Sequence, residues 1–193
     1  YGMEGYLFVT LIGGSYGGLI GSTLLSKEED DQTLEFILSK PISRNQLLIG
    51  KSVVILINLV ILNLVSFFTL IIWFLLISQI QWGTIILLVV GPLLLQLIFA
   101  YISLAISVFL TKSRQVMSVS LGLVIGLFFL DIIATLTNQF GFLKYFTPFE
   151  YVNAVDIINH HTIEFKYILI SISLIGFSWF VTWYFYNKKD ISA

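Results

Sequence analysis

The chain has 193 residues, 58% of them hydrophobic and 11% charged, with a mean hydropathy of +0.96. A water-soluble domain of that length would expose large sticky patches, so the apolar excess belongs in lipid. The net charge of −1 points to no nucleic-acid partner, and the absence of cysteine rules out a disulfide framework or a thiolate metal site.

A membrane span needs roughly 20 apolar residues. Five runs qualify, at about 6–25, 53–77, 83–110, 116–136 and 167–186. They are too long for strands and rich in Leu, Ile, Val and Phe, so the expected class is an all-α polytopic helix bundle. No basic n-region precedes the first run, which excludes a signal peptide. In that run Gly13, Gly17 and Gly21 recur every four residues, with Gly14 and Gly18 beside them. On a helix they form a strip almost free of side chains, suited to close packing against another span.

Residues 26–52 follow, a polar stretch holding nine of the 21 charged residues. The acidic run Glu28–Asp31 suits a helix N-terminus. Leu34, Ile37 and Leu38 then share one helical face, and Pro41 ends that short helix. Ser43 and Gln46 match a capping box that opens an amphipathic elbow into the second run. Gly50-Lys51-Ser52 looks like the end of a phosphate-binding loop. The full pattern needs Gly at position 45, where Asn45 stands, so nucleotide binding by this chain is not expected.

Trp82 marks the hairpin between the second and third runs, and Pro92 is expected to kink the third. Asn58, Asn63 and Gln96 are polar groups within spans. They are candidates for a cavity lining or for interhelical hydrogen bonds. Asp131 is an acid deep in the fourth run and a candidate for the translocation path. Residues 149–165 are expected to lie along the membrane surface. Adjacent His160 and His161 point about 100° apart on a helix and lack a clustered partner, so no metal site is expected. Trp179, Trp183, Tyr184 and Tyr186 approach the end of the last run as interfacial rings.

Lys27, Lys40, Arg44, Lys51, Lys112, Arg114, Lys188 and Lys189 fall on one side under simple alternation, leaving only Lys144 and Lys166 on the other. The positive-inside rule makes the first side cytosolic. Residues 26–52 are then cytosolic, 137–166 outside, and the C-terminus cytosolic. A protein beginning in the cytosol would carry one more span before Tyr1, six in all. No protease or transferase constellation is present in the sequence.

The stretch Glu28, Glu29, Thr33, Leu34, Glu35, Leu38, Ser39, Pro41, Ile42, Ser43, Arg44 and Lys51 resembles the loop between the second and third spans of ABC type 2 exporter permeases. Gln32 departs from the family's usual Gly. Tyr145-Phe-Thr-Pro-Phe-Glu-Tyr151, followed by Val155-Asp-Ile-Ile158, resembles the family's outer segment before the last span. The resemblance implies a permease subunit of an ATP-driven exporter in the plasma membrane of a bacterial cell. It implies ATP-binding subunits that carry the ATP and magnesium, and a second permease, identical or different. Glu29, Thr33, Leu34, Glu35, Ile37, Leu38, Pro41 and Arg44 would dock on the ATPase and receive its stroke. A non-transporting scaffold or sensor on the same fold, or an intramembrane enzyme, are the alternatives.

Overall fold

A computed structural model describes residues 3–31, 43–76, 82–110, 112–136 and 138–188. The elements are α1 (Met3–Asp30), α2 (Arg44–Leu76), α3 (Trp82–Phe109), α4 (Ser113–Leu136), α5 (Ala154–His160) and α6 (Phe165–Lys188). Two 3-10 segments, Asn138–Tyr145 and Glu150–Val152, lie between α4 and α5. Among the described residues there is no strand, and five helices are long and apolar enough to cross a membrane. Each of the five overlaps one of the five apolar runs.

α3 is the central and most buried span. α1 runs along it most extensively, and α2, α4 and α6 also pack on it. Three apolar clusters follow its length. Leu25, Leu48, Ile55, Leu104 and Tyr186 meet near one end, Phe99, Val124, Phe149 and Tyr167 in a second layer, and Tyr6, Leu70, Ile85 and Ile157 in a third. α3 passes unbroken through Pro92, which lies buried beside Gly91.

One expectation changes. The acidic run does not open a new helix, because α1 continues through a fully buried Ser26 to Asp30. Carboxylates at a helix C-terminus oppose the macrodipole, and here they are offset from elsewhere in the chain. Lys51 donates to Glu28, and Asp30 Oδ2 accepts the backbone N–H of Ser113, 3.2 Å away, at the start of α4. The elbow that follows Ser43 runs straight into the second span. α2 is one helix of 33 residues, about 50 Å long, well beyond the roughly 30 Å hydrocarbon thickness. Within 149–165, Phe149, Tyr151, Val152, Ala154 and Ile157 are buried while Val155 and Ile158 are exposed, so this segment packs as a cap on the end of the bundle.

Candidate functional site

Ser43 and Gln46 form the expected capping box. The Ser43 N–H donates to Gln46 Oε1 at 2.9 Å, and the Gln46 N–H donates to Ser43 Oγ at 3.2 Å. The next residues tie α2 to α6. Arg44 Nη1 donates to the carbonyl oxygens of Tyr186 and Asn187, each at 3.3 Å, where a cation also complements the helix dipole. Asn45 Oδ1 accepts from Trp183 Nε1 and from Asn187 Nδ2, both at 3.0 Å. One helical repeat further on, Trp179 Nε1 donates to Ser52 Oγ at 3.1 Å. Residues 32–42 therefore leave a helix held to α2 and α4 through Glu28 and Asp30. They return to a helix held to α6 through Arg44, Asn45 and Ser52.

Of the residues expected to dock on an ATPase, Thr33, Leu34, Glu35, Ile37, Leu38 and Pro41 lie outside the described residues, as does the Glu29 side chain. Arg44 is described, and it is engaged with α6 of its own chain. Sequence reasoning missed Asn45, Ser52 and Asn187, and it read Trp179 and Trp183 only as interfacial rings. A signal was present: positions 179, 183 and 187 share one face of α6 and all carry N–H donors.

The glycine strip packs within the chain. A Cβ on Gly17 would lie 2.5 Å from the Gln96 carbonyl oxygen, and one on Gly21 would overlap the Ala100 carbonyl. A Cβ on Gly13 would meet the Gln96 side chain, and one on Gly14 would come within 3.1 Å of Phe99. Gly18 faces Ser103 and Val124 at ordinary contact distances. Directly beneath, Asn63 Nδ2 donates to Gln96 Oε1 at 2.6 Å and to the Leu59 carbonyl at 2.8 Å. Both amides are buried, so they bridge α2 and α3 within the packed interior. Asn58 turns back onto its own helix, donating to the Val54 carbonyl at 2.8 Å.

Asp131 stands apart from these groups, near the cap. It accepts the Thr147 hydroxyl at 2.9 Å. The four polar residues singled out within the spans thus divide into one bridged pair and two separate positions. In the cap, Phe149 fits between Phe99 and Phe128, with centroids 5.5 and 5.4 Å away. Tyr151 stacks on Tyr167 at 5.0 Å, and its hydroxyl donates to the Tyr145 carbonyl. Burial pushes the Tyr151 phenol up to about 12. Lys144 donates to the buried Glu150 at 2.6 Å, and this hydrogen bond holds the ammonium above its ordinary range. His161 closes α5 in the left-handed conformation, φ 51°, with its Nδ1 3.0 Å from the Thr84 hydroxyl. His160 and His161 are thus used as a helix end.

A search of the curated proteins finds no match. The family described as ABC-2 family transporter protein has a model that matches residues 3–191. That match spans all five long helices, the polar segment between α1 and α2, and the cap. The chain therefore belongs to the ABC-2 transporter family, as a multi-pass membrane permease of an ABC transporter.

Proposed function

We propose that this permease exports a solute, driven by ATP hydrolysis on separate ATP-binding subunits, and that residues 32–42 with the end of α1 receive the stroke. Family membership supports the class, and the doubly rooted segment supports the mechanism. The end of the bundle carrying Lys27, Arg44, Lys51, Lys112, Arg114 and Lys188 faces the cytosol on this reading, as the positive-inside rule requires. Glu29, Thr33, Leu34, Glu35, Ile37, Leu38 and Pro41 form the docking surface. ATP and magnesium sit on the partner subunits, and a second permease, identical or different, completes the pathway.

The roots make the lever physically workable. A push on a free loop dissipates in the loop. Here one end of the segment leads into α1, whose Glu28 is held by Lys51 of α2. The other end leads into α2, whose Arg44 and Asn45 hold α6. A displacement between them reaches α1 and α2 directly, and α6 through Arg44 and Asn45. Such a stroke acts on discrete packed helices, which move as units.

Co-purification and transport provide the test. The full-length permease, expressed with its genomic ATP-binding neighbour, copurifies with it, and Glu35→Lys lowers ATP-dependent efflux at least tenfold without lowering permease abundance. The coupling proposal fails if no ATPase subunit copurifies and Glu35→Lys leaves efflux unchanged.

A further inference from the structure

A cavity of about 280 Å³ opens beside the cap between α1 and α4. Its walls are mostly apolar. Leu7 and Ile132 sit at its partly exposed side, while Tyr6, Phe128 and Phe149 supply aromatic rings. Asp131 is the single carboxylate among the described residues that line it, and none of them is a Lys, Arg or His. Among the described residues, no Lys or Arg forms an ion pair with it, and Lys144 is engaged with Glu150. Its recorded partner is the neutral Thr147 hydroxyl.

A carboxylate in an apolar surround calls for a compensating positive charge. The rings around it favour a cation that is weakly hydrated. The apolar walls favour a body without further polar groups, and the volume lies near the lower end of small-molecule sites, about 300–1,000 Å³. We propose that this cavity binds an amphiphilic monocation, a single amine or quaternary ammonium on a compact apolar body, with Asp131 as the counter-ion. The inference stands on the cavity itself. It requires neither the ATP-binding subunits nor a direction of transport, so its test is independent of the coupling experiment.

The full-length permease in phosphatidylcholine nanodiscs is dialysed against radiolabelled benzyldimethyloctylammonium. A parallel sample receives its neutral isostere, with carbon in place of the quaternary nitrogen. Empty nanodiscs give the partitioning background. Saturable binding of the cation, at least tenfold tighter than the isostere, is expected. Asp131→Asn retains an oxygen for Thr147 and abolishes the tenfold preference, leaving isostere binding as before. Thr147→Val removes the hydrogen bond but not the charge, and keeps the preference. Ile132→Trp obstructs the cavity and weakens both ligands. A measurement on the unmutated protein guards against misfolded variants: the cation, but not the isostere, protects Asp131 from modification by dicyclohexylcarbodiimide. Equal binding of the two ligands, a preference that survives Asp131→Asn, or no saturable binding above empty nanodiscs overturns the proposal.

Discussion

Gly17→Ala and Gly18→Ala are neighbouring changes of one methyl group, and the structure assigns them opposite signs. The Cβ at position 17 would lie 2.5 Å from the Gln96 carbonyl oxygen and 3.3 Å from its Cα. These are backbone atoms, so no rotamer change relieves the contact. Restoring ordinary separation moves α1 and α3 apart by about 0.9 Å along their most extensive seam. Overpacking of this kind costs about 1–3 kcal/mol, and alanine's better helix propensity returns about 0.5–1 kcal/mol. Gly17→Ala should therefore destabilise by roughly 1–2 kcal/mol. At position 18 the Cβ would lie 3.4 Å from Ser103 Oγ and 3.5 Å from Val124 Cγ2. The propensity gain then dominates, and Gly18→Ala should be neutral or stabilising by up to about 1 kcal/mol. Reversible unfolding of the purified chain in mixed micelles, followed by tryptophan fluorescence, reads the difference of about 2 kcal/mol, near thirtyfold in the unfolding equilibrium. Equal stabilities for the two variants would refute the close α1–α3 approach, and so would a Gly17→Ala protein more stable than the parent.

Other consequences can be checked in the same unfolding assay. Asn63→Leu leaves a buried Gln96 oxygen without its partner and should cost about 1–3 kcal/mol. The Asn63→Leu/Gln96→Leu double variant should cost less than the sum of the singles, with a coupling near the 0.6 kcal/mol average for interhelical hydrogen bonds in membranes, at most about 1.7 kcal/mol. Additive singles would remove the bridge as an energetic link. Lys51→Glu places like charges against Glu28 and should weaken both folding and efflux, while Glu28→Lys/Lys51→Glu should restore most of the loss; no restoration would mean that the pair does not join α1 to α2. Alkaline pH should loosen the cap. Both Lys144 and Tyr151 hold their protons more tightly when folded than their ordinary values of 10.5 and 10.0. The unfolded chain thus binds fewer protons above about pH 10, and stability falls as pH rises toward 12. Tyr151→Phe should flatten that fall, as seen in unfolding midpoints between pH 9 and 12; an unchanged slope would place the titrating group elsewhere.

The spans could be read from sequence because lipid leaves the backbone few choices, and runs as apolar as 83–110 can hardly be anything but crossing helices. The capping box at Ser43 and Gln46 was legible because both partners lie within one turn. The acidic run was misread for the opposite reason. Glu28 and Asp30 look like a solvated helix start until Lys51 and Ser113 are seen beside them, and neither contact leaves a local signal. The glycine strip announced a close partner, but Gln96 and Ala100 are distant in sequence. Asn63 and Gln96 were visible as polar groups in spans, yet periodicity cannot distinguish a wall of a cavity from a bridge. In residues 145–151 the polar members are consumed inside the cap, Thr147 by Asp131 and Glu150 by Lys144, and neither pairing leaves a local signal.

The proposed stroke and the proposed cavity occupy opposite ends of α1, about 40 Å apart for a helix of 28 residues. What joins them decides whether the cavity can respond to ATP. α1 has few side chains along the strip that faces α3, so Gly17 and Gly21 rest on backbone rather than on adaptable rotamers. A tilt of α1 at Glu28 cannot be absorbed along that seam by side-chain rearrangement. It must either carry α3 with it or slide past. The Asn63–Gln96 bridge ties α3 to α2 and favours the first outcome. At the far end, the Tyr6 hydroxyl lies against Gly91 of α3, where a Cβ would come within 2.8 Å of it, and Tyr6 also lines the cavity. On the proposed mechanism, α1, α2 and α3 therefore move together while α4, which carries Asp131, forms the opposing wall. The stroke would change the width of the cavity between α1 and α4. A cysteine pair at Leu7 and Ile132, crosslinked with reagents of increasing span, should show different preferred lengths with and without ATP on the assembled transporter. An unchanged preferred length would separate the cavity from the power stroke and leave it as a static binding site.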